Sequence, residues 1–227
     1  MCFSETWSRN LTILGIAITS YRVLNKYSAI SLVPSAFYTL MELTQYLQYK
    51  VIDQCDNSIN QYLTMFTWIL QWIQPLMWNI IYLYVTKSNK VVFKFAIFIS
   101  AIIFVAGMLR VFNFSDKKSV THELQVKGRN CALRGDKHIK WNNNAQTFYG
   151  LEPNWFVYLV FFFLPALWIT PFERGLIVFL SQLFLFIITI LIVGKMDDQL
   201  ASTWCLMSIP GIVVGEFLNS HAWKGIY

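Results

Sequence analysis

The chain has 227 residues, of which 56% are hydrophobic, 17% aromatic and only 13% charged. That charged share is about half of the roughly 25% usual in soluble domains, too little to cover the surface of a soluble protein of this size. The composition therefore favours an integral membrane protein. The formal charge of +6 does not indicate nucleic-acid binding, because the basic residues are scattered and form no patch with interleaved aromatic residues.

Seven apolar stretches approach or reach the length of about 17 to 25 residues that a transmembrane helix needs. They cover residues 10–24, 28–49, 62–85, 91–112, 154–170, 176–194 and 201–219. None alternates as a barrel strand would, and inside hydrocarbon a helix satisfies every backbone N–H and C=O within its own segment. The sequence therefore predicts an all-α fold, a polytopic integral membrane protein with about seven transmembrane helices in one bundle and a single domain.

The connection of residues 113–153 is long and polar, and we expect a partly ordered surface loop on the outer side of the membrane. The balance of lysine and arginine between the two sides does not decide the orientation. All four cysteines lie on the side of the N-terminus or at its membrane edge, which indicates an oxidising compartment. We therefore expect the N-terminus and this loop outside or in a lumen and the C-terminus in the cytosol. Of the three possible connectivities we favour a Cys55–Cys131 disulfide, with four free thiols as the alternative.

Polar side chains are expected to form a layer inside this bundle. Glu42 and Gln45 interrupt the stretch TLMELTQYLQY, and Glu42 lies about 12 Å below the outer end of the second span. The third span runs the opposite way, so Gln71 lies about 14 Å below the same surface, with Gln74 one turn deeper. Pro75 also deprives the carbonyl group of Gln71 of its helical donor, and that carbonyl should point into the layer.

The carboxyl group in this layer allows two interpretations. An ionisable group at mid-membrane costs about 2.5 to 3.5 kcal/mol on insertion scales, so Glu42 must be paired, protonated or facing a water-filled cavity. The functional interpretation is a binding or permeation cavity, or a proton-linked site. The alternative is packing between helices, where each polar side chain contributes about 0.6 kcal/mol. The predicted ligand-binding residues are Glu42, Gln45, Gln71, Gln74, Asn79 and Gln182.

Two further expectations concern the ends of the bundle and metal chemistry. Arg22 and Glu216 have comparable depths on the first and last spans, and they are predicted to form a structural ion pair. The predicted spans contain no histidine, and the outer loop has no C-x-x-C or H-x-x-x-H spacing. We therefore expect no metal and no cofactor.

One set of residues resembles a known family. Met41-Glu42-x-x-Gln45 is followed by Cys55 and Asn60, and then by Gln71-x-x-Gln74-Pro75 with Asn79. This pattern is similar to a family of multi-span membrane proteins in large DNA viruses and algae. The resemblance covers the second and third spans, and it implies a seven-helix membrane protein of unknown activity without transferring a catalytic residue.

The leading functional prediction is a protein that binds or transports a small molecule, an ion or a lipid. Glu42 would be the proton-responsive or ligand-contacting group, and Gln45, Gln71 and Gln74 would orient the ligand. An intramembrane lipid-modifying enzyme with Glu42 as general acid–base is the first alternative. A structural protein that organises a viral or organellar membrane is the second. Membrane lipids are the expected partners, and no enzymatic motif favours catalysis.

Overall fold

The computed structural model describes residues 4–87, 90–111, 130–142, 155–194 and 199–218. These residues form seven α-helices, so the mostly helical fold is confirmed. The helices are α1 (Glu5–Leu24), α2 (Ala29–Tyr49), α3 (Ser58–Val85), α4 (Lys90–Val111), α5 (Trp155–Phe163), α6 (Phe172–Val193) and α7 (Leu200–Leu218). A short 3₁₀ helix, Leu164–Trp168, continues α5 at Pro165, because proline cannot donate to the carbonyl one helical turn earlier.

Part of the long polar connection, expected as a surface loop, is a hairpin with buried residues. Two strands, β1 (Cys131–Arg134) and β2 (Ile139–Asn142), pair as a hairpin. Ala132 and Ile139 are fully buried, and Trp141 is buried with them. We call residues 131–142 the hairpin. Residues 112–129 and 143–154 lie outside the described residues.

Two helices are long and apolar enough, by length and composition, to cross a membrane. They are Lys90–Leu109 within α4 and Phe172–Val193, and only 28% and 22% of their apolar windows are buried inside the protein. Shorter apolar helices cover Phe156–Trp168 and Leu200–Val213. Two such helices give coarse support for membrane association, and the seven-span bundle and its orientation stay predictions.

The chain groups into two compact units. The first unit comprises residues 1–63, 131–141 and 184–227, and the second comprises residues 64–130 and 142–183. In the first unit α1, α2 and α7 pack against one another together with the hairpin. In the second unit α4 packs on α5 and on the 3₁₀ helix, and the α3 residues of this unit bond to α4 and α5.

Helix α1 presents its polar and small residues to the interior and its apolar residues to the outside. Its inward stripe recurs every three or four positions, as one helical face requires. That stripe contains Ser8, Leu11, Thr12, Gly15 and Arg22. Ile13, Ile16 and Val23 on the other face are 59%, 53% and 54% exposed. Helix α2 has the same inverted pattern, so the two helices bury polar groups between them while their aliphatic side chains face outwards.

The antiparallel α1–α2 pair depends on a close contact at Gly15. Glu5 pairs with Lys50 at one end, and the guanidinium of Arg22 donates to the carbonyl oxygen of Ser31 at the other, 2.9 Å away. Between them, a Cβ at Gly15 would collide with the side chain of Thr39 and would lie 3.2 Å from the Cδ1 of an α7 isoleucine. A small residue at this position therefore lets the three helices approach closely.

We predict that Gly15→Ala lowers the free energy of unfolding by about 1 to 3 kcal/mol, because the new methyl group forces α1 away from α2 and α7. Thermal unfolding in mild detergent, followed by tryptophan fluorescence, measures the effect. Ala17→Leu is the matched control, since Ala17 lies on the exposed face of α1 and should tolerate a larger side chain. Equal stability of Gly15→Ala and wild type would contradict the close contact.

Candidate functional site

A row of polar side chains on α2 forms the centre of the first unit. Glu42, Gln45 and Gln48 follow one another at intervals of three residues, so they share a helix face. All three are fully buried. Buried polar groups need hydrogen-bond partners, and Gln45 and Gln48 obtain theirs from the hairpin.

His138 joins the hairpin to Gln45. The amide nitrogen of Gln45 lies 3.4 Å from the carbonyl oxygen of Ser202 on α7, and its Oε1 lies 2.5 Å from His138 Nε2. Because that oxygen can only accept, Nε2 must carry the ring proton. Nδ1 is then an acceptor, and the hydroxyl group of Tyr49, 2.8 Å away, donates to it. The arrangement fits a neutral imidazole, and burial lowers the pKa of His138 to about 3.

Further hydrogen bonds hold the hairpin on the α2 row and on the start of α7. The indole of Trp141 donates to Gln48 Oε1 over 3.0 Å. Ser202 Oγ donates to the carbonyl oxygen of Ile139 over 2.5 Å. Gln199 Oε1 accepts the backbone N–H groups of residues 137 and 138, at 2.8 and 3.1 Å. The hairpin therefore supplies the polar partners that α2 and α7 would otherwise lack at this end.

A disulfide bond and one asparagine anchor the first strand of the hairpin. The predicted Cys55–Cys131 disulfide is confirmed, and it joins residues 76 positions apart. Beside it, Asn60 Oδ1 accepts the backbone N–H of Ala132 at 2.7 Å, and the Asn60 amide donates to the carbonyl oxygen of Val51 at 2.6 Å. Cys205 is buried and takes no part in this disulfide, and Cys2 lies outside the described residues.

Glu42 differs from its two neighbours on the row. Both of its carboxyl oxygens are buried, and neither has a hydrogen-bond partner among the described residues. The hydroxyl group of Ser8 on α1 is the one hydrogen-bonding neighbour of this carboxyl group among the described residues, but the two groups do not reach full hydrogen-bond geometry, and Ser8 is likewise fully buried. We call Glu42 and Ser8 the carboxyl site.

The glutamines of α3 belong to the second unit, where Tyr158 of α5 contacts them. The hydroxyl group of Tyr158 lies 3.2 Å from the carbonyl oxygen of Gln71 and 3.1 Å from Gln74 Oε1. The Gln71 carbonyl is the one that Pro75 deprives of its helical donor, so the tyrosine supplies the missing hydrogen bond. The carbonyl oxygen of Gln71 is therefore buried against a protein side chain, the hydroxyl group of Tyr158.

Asn79 of α3 in turn donates a hydrogen bond to a carbonyl group of α5. Pro165 removes the N–H group that the carbonyl oxygen of Phe161 would receive in a continuous α-helix. The amide nitrogen of Asn79 lies 2.8 Å from that oxygen and 2.8 Å from the carbonyl oxygen of Pro75. Each helix therefore satisfies a carbonyl group that a proline has freed on the other.

The remaining predicted residues have separate positions. Gln182 donates to the hydroxyl group of Tyr82 at 2.9 Å within the second unit. Arg22 donates to Ser31, and the side chain of Glu216 lies outside the described residues, so their ion pair stays a prediction. The level placement of Glu42 and Gln71, which belong to different units, also stays a prediction. Within the described ranges, no three His, Cys, Asp or Glu side chains are grouped so that they could hold a metal ion.

Sequence reasoning missed three residues that matter here. Ser8 precedes the predicted start of the first span, although the spacing of Ser8, Thr12, Gly15 and Arg22 shows one small and polar helix face. His138 was missed because it fits no metal-ligand spacing, although the apolar positions Ile139 and Trp141, two residues apart, indicate a strand directly after it. The partnership of Tyr158 with α3 has no local signal, because it depends on which helices become neighbours.

Comparison with known proteins places the chain in a family. A family model described as "Family of unknown function (DUF5765)" matches residues 6–220, nearly the whole chain. The chain belongs to this family. It is also 24% identical to "Uncharacterized protein R287" of Acanthamoeba polyphaga mimivirus, over 100% of this chain and 98% of that protein. No solved structure matches the chain.

These findings bear out the coarse part of the expected resemblance. A family of unknown function and a relative in a large DNA virus both fit it. The multi-span membrane character that the resemblance implied stays a prediction.

We predict that acid weakens docking of the hairpin through His138. The unfolded chain protonates this residue near its ordinary pKa of 6.5, whereas the folded protein does so only near 3. Its contribution is thus complete above pH 6.5 and declines as pH falls from 6.5 towards 3, by up to about 1.4 kcal/mol per pH unit. Unfolding measured from pH 8 to pH 4 checks this.

Two variants separate this titration from general acid damage. His138→Gln should lose the His138 part of the slope while keeping an amide that can bond to Gln45. Tyr49→Phe removes a hydrogen bond but leaves the histidine, so it should lower stability and retain the slope. An identical slope in His138→Gln and wild type would refute the prediction.

We also predict that Asn79→Leu costs about 1 to 3 kcal/mol, because the buried Phe161 carbonyl loses its donor. Pro165→Ala supplies a backbone N–H group that can replace the donor within α5. The double variant should therefore recover much of the loss, and a double-mutant cycle of unfolding free energies measures the coupling. Purely additive effects would contradict the reciprocal arrangement.

Proposed function

We propose that this protein is a multi-pass membrane protein that binds or transports a small molecule or an ion. The ligand would bind at the carboxyl site. The observation that carries the proposal is that both Glu42 oxygens are buried without a hydrogen-bond partner among the described residues. A carboxylate left in this condition is costly, and a bound ligand or proton is the simplest compensation.

The inverted pattern of α1 and α2 supports the membrane part of the proposal. In water, exposed aliphatic faces and buried polar stripes would both reduce stability. In a bilayer the same arrangement is favourable, since lipid covers the aliphatic faces and small or polar side chains mediate helix contacts. The two long apolar helices, α4 and α6, support the same setting. We propose seven spans, with the N-terminus and the hairpin on the outer or lumenal side.

The contacts of the neighbouring polar residues support the choice of Glu42 over the wider predicted set. Gln45 and Gln48 bond to the hairpin, and Gln71, Gln74 and Asn79 bond between α3 and α5. These are the contacts expected of helix packing. Asn79 and Gln182 each keep one buried side-chain oxygen without a described partner, but their amide nitrogens make hydrogen bonds. Glu42 differs because neither of its side-chain oxygens meets hydrogen-bond geometry with a described residue.

A second function, the intramembrane lipid-modifying enzyme, is favoured by one observation. Ser8 places a hydroxyl group against the Glu42 carboxyl group, and a hydroxyl beside a potential general base can act as a nucleophile. Purified protein incubated with lipid vesicles would then release a modified lipid without any ion gradient. Binding or transfer predicts no such product.

We predict that wild-type protein, purified in mild detergent, retains a ligand that Glu42→Gln loses, because the variant removes the charge that the ligand balances. Native mass spectrometry measures the retained mass. Glu173→Gln is the matched control, since it neutralises an exposed carboxylate in the first turn of α6. Identical spectra for wild type and Glu42→Gln, together with equal thermal stability, would contradict a ligand at this site.

A further inference from the structure

We infer that the ligand of the carboxyl site is a monovalent cation, held by the Glu42 carboxylate and the Ser8 hydroxyl oxygen. The inference rests on the proposed function, and it specifies the ligand class. The oxygen lone pairs of Glu42 and Ser8 determine which ligands the site can accept. An ionised carboxylate only accepts hydrogen bonds, and a serine hydroxyl group can turn its lone pairs towards a cation. The pair therefore offers an oxygen surface without a compensating positive charge of its own.

The surroundings of Glu42 contain no described counter-charge. Besides burial, the one group acting on its carboxyl is the Ser8 hydroxyl. Arg22 donates to Ser31 at the far end of α1, and Lys50 pairs with Glu5 at the near end. The other charged or titratable side chains described on the packed elements include the exposed Arg9, Arg134 and Asp136, the partly exposed Lys137 and Lys140, and two buried groups, Cys205 and His138. The ring of His138 bonds to Gln45 and Tyr49.

Charge balance selects among ligand classes. An anion would meet the carboxylate with no cation to offset the repulsion, at a place where charges are poorly solvated. A divalent ion would leave one buried positive charge uncompensated, and such ions take six or more oxygen ligands. A monovalent cation neutralises the single carboxylate and accepts neutral hydroxyl groups as additional ligands. A proton satisfies the same charge and would compete with it.

A further hydroxyl oxygen without a described hydrogen-bond partner lies on a helix that packs against the two helices of the carboxyl site. Thr203 of α7 is fully buried, and its hydroxyl oxygen also has no hydrogen-bond partner among the described residues. Helix α7 packs against both α1 and α2, the helices that carry the carboxyl site. Buried hydroxyl groups on helices commonly bond back to a carbonyl one turn earlier, as Thr12 and Thr39 do here. The hydroxyl groups of Ser8 and Thr203 make no such hydrogen bond within the described ranges.

The test measures thermal unfolding of the full chain in mild detergent while sodium or potassium chloride replaces N-methyl-D-glucamine chloride at constant ionic strength. We expect the unfolding temperature of wild type to rise with one of the alkali ions and then to saturate. Wherever the pH lies below the pKa of the carboxyl group, protons compete with the cation for it, and the ion concentration for half the effect should increase about tenfold for each unit that the pH falls.

Three variants decide the result. Glu42→Gln should abolish the saturable response, Ser8→Ala should raise the concentration for half the effect by about tenfold or more while the protein still folds, and Glu173→Gln should respond as wild type does. A tenfold change corresponds to about 1.4 kcal/mol of lost binding. If Glu42→Gln does not fold, Ser8→Ala alone decides, and an unchanged response in it overturns the inference.

The outcomes also separate this inference from the proposed function. A small molecule retained by wild type and lost in Glu42→Gln, with no response to alkali ions, overturns the cation and leaves the carboxyl site as a binding site. No retained molecule and no ion response, with Glu42→Gln as stable as wild type, overturns both. An ion response that survives in Glu42→Gln places the cation elsewhere and overturns the inference.

Discussion

Docking of the hairpin onto the polar face of α2 is the interaction on which the first unit depends. Gln45 and Gln48 cannot remain buried without partners, because an unsatisfied amide in an apolar interior costs more than a hydrogen bond returns. His138 and Trp141 supply those partners. Ser202 of α7 and Gln199, the residue just before α7, bond to the backbone of the hairpin at residues 137 to 139. The Cys55–Cys131 disulfide limits the freedom of the hairpin in the unfolded chain.

Proline residues impose a comparable requirement on the second unit. Pro75 and Pro165 each free a carbonyl group inside a helix, and inside an apolar environment that group must find a donor. Tyr158 and Asn79 provide the donors across the α3–α5 contact. The two interruptions thus fix which faces of these helices meet, since rotating either helix would leave a carbonyl group unsatisfied.

Much of the helical architecture was readable from the sequence, because apolar stretches and turn residues mark helix positions directly. The Cys55–Cys131 disulfide was also expected, because all four cysteines lie on one predicted side of the membrane or at its edge. The burial of the hairpin was not, since its polar composition resembles a surface loop and its partners are 61 to 93 residues away. Ser8 was missed because a hydropathy criterion begins a span at its first apolar residues, whereas α1 begins at Glu5.

The distinction between packing and ligand binding follows from where hydrogen bonds are satisfied. A buried polar residue that serves packing has a hydrogen-bond partner elsewhere in the protein. Gln48 bonds to Trp141 in this way, and Asn79 bonds to the carbonyl oxygen of Phe161. Glu42 is buried as completely as these residues, yet its two oxygens face a hydroxyl group that also has no hydrogen bond. Packing alone would favour glutamine at this position, because the amide keeps the shape without the cost of a buried charge. A carboxylate there is therefore best understood through the charge that it can exchange.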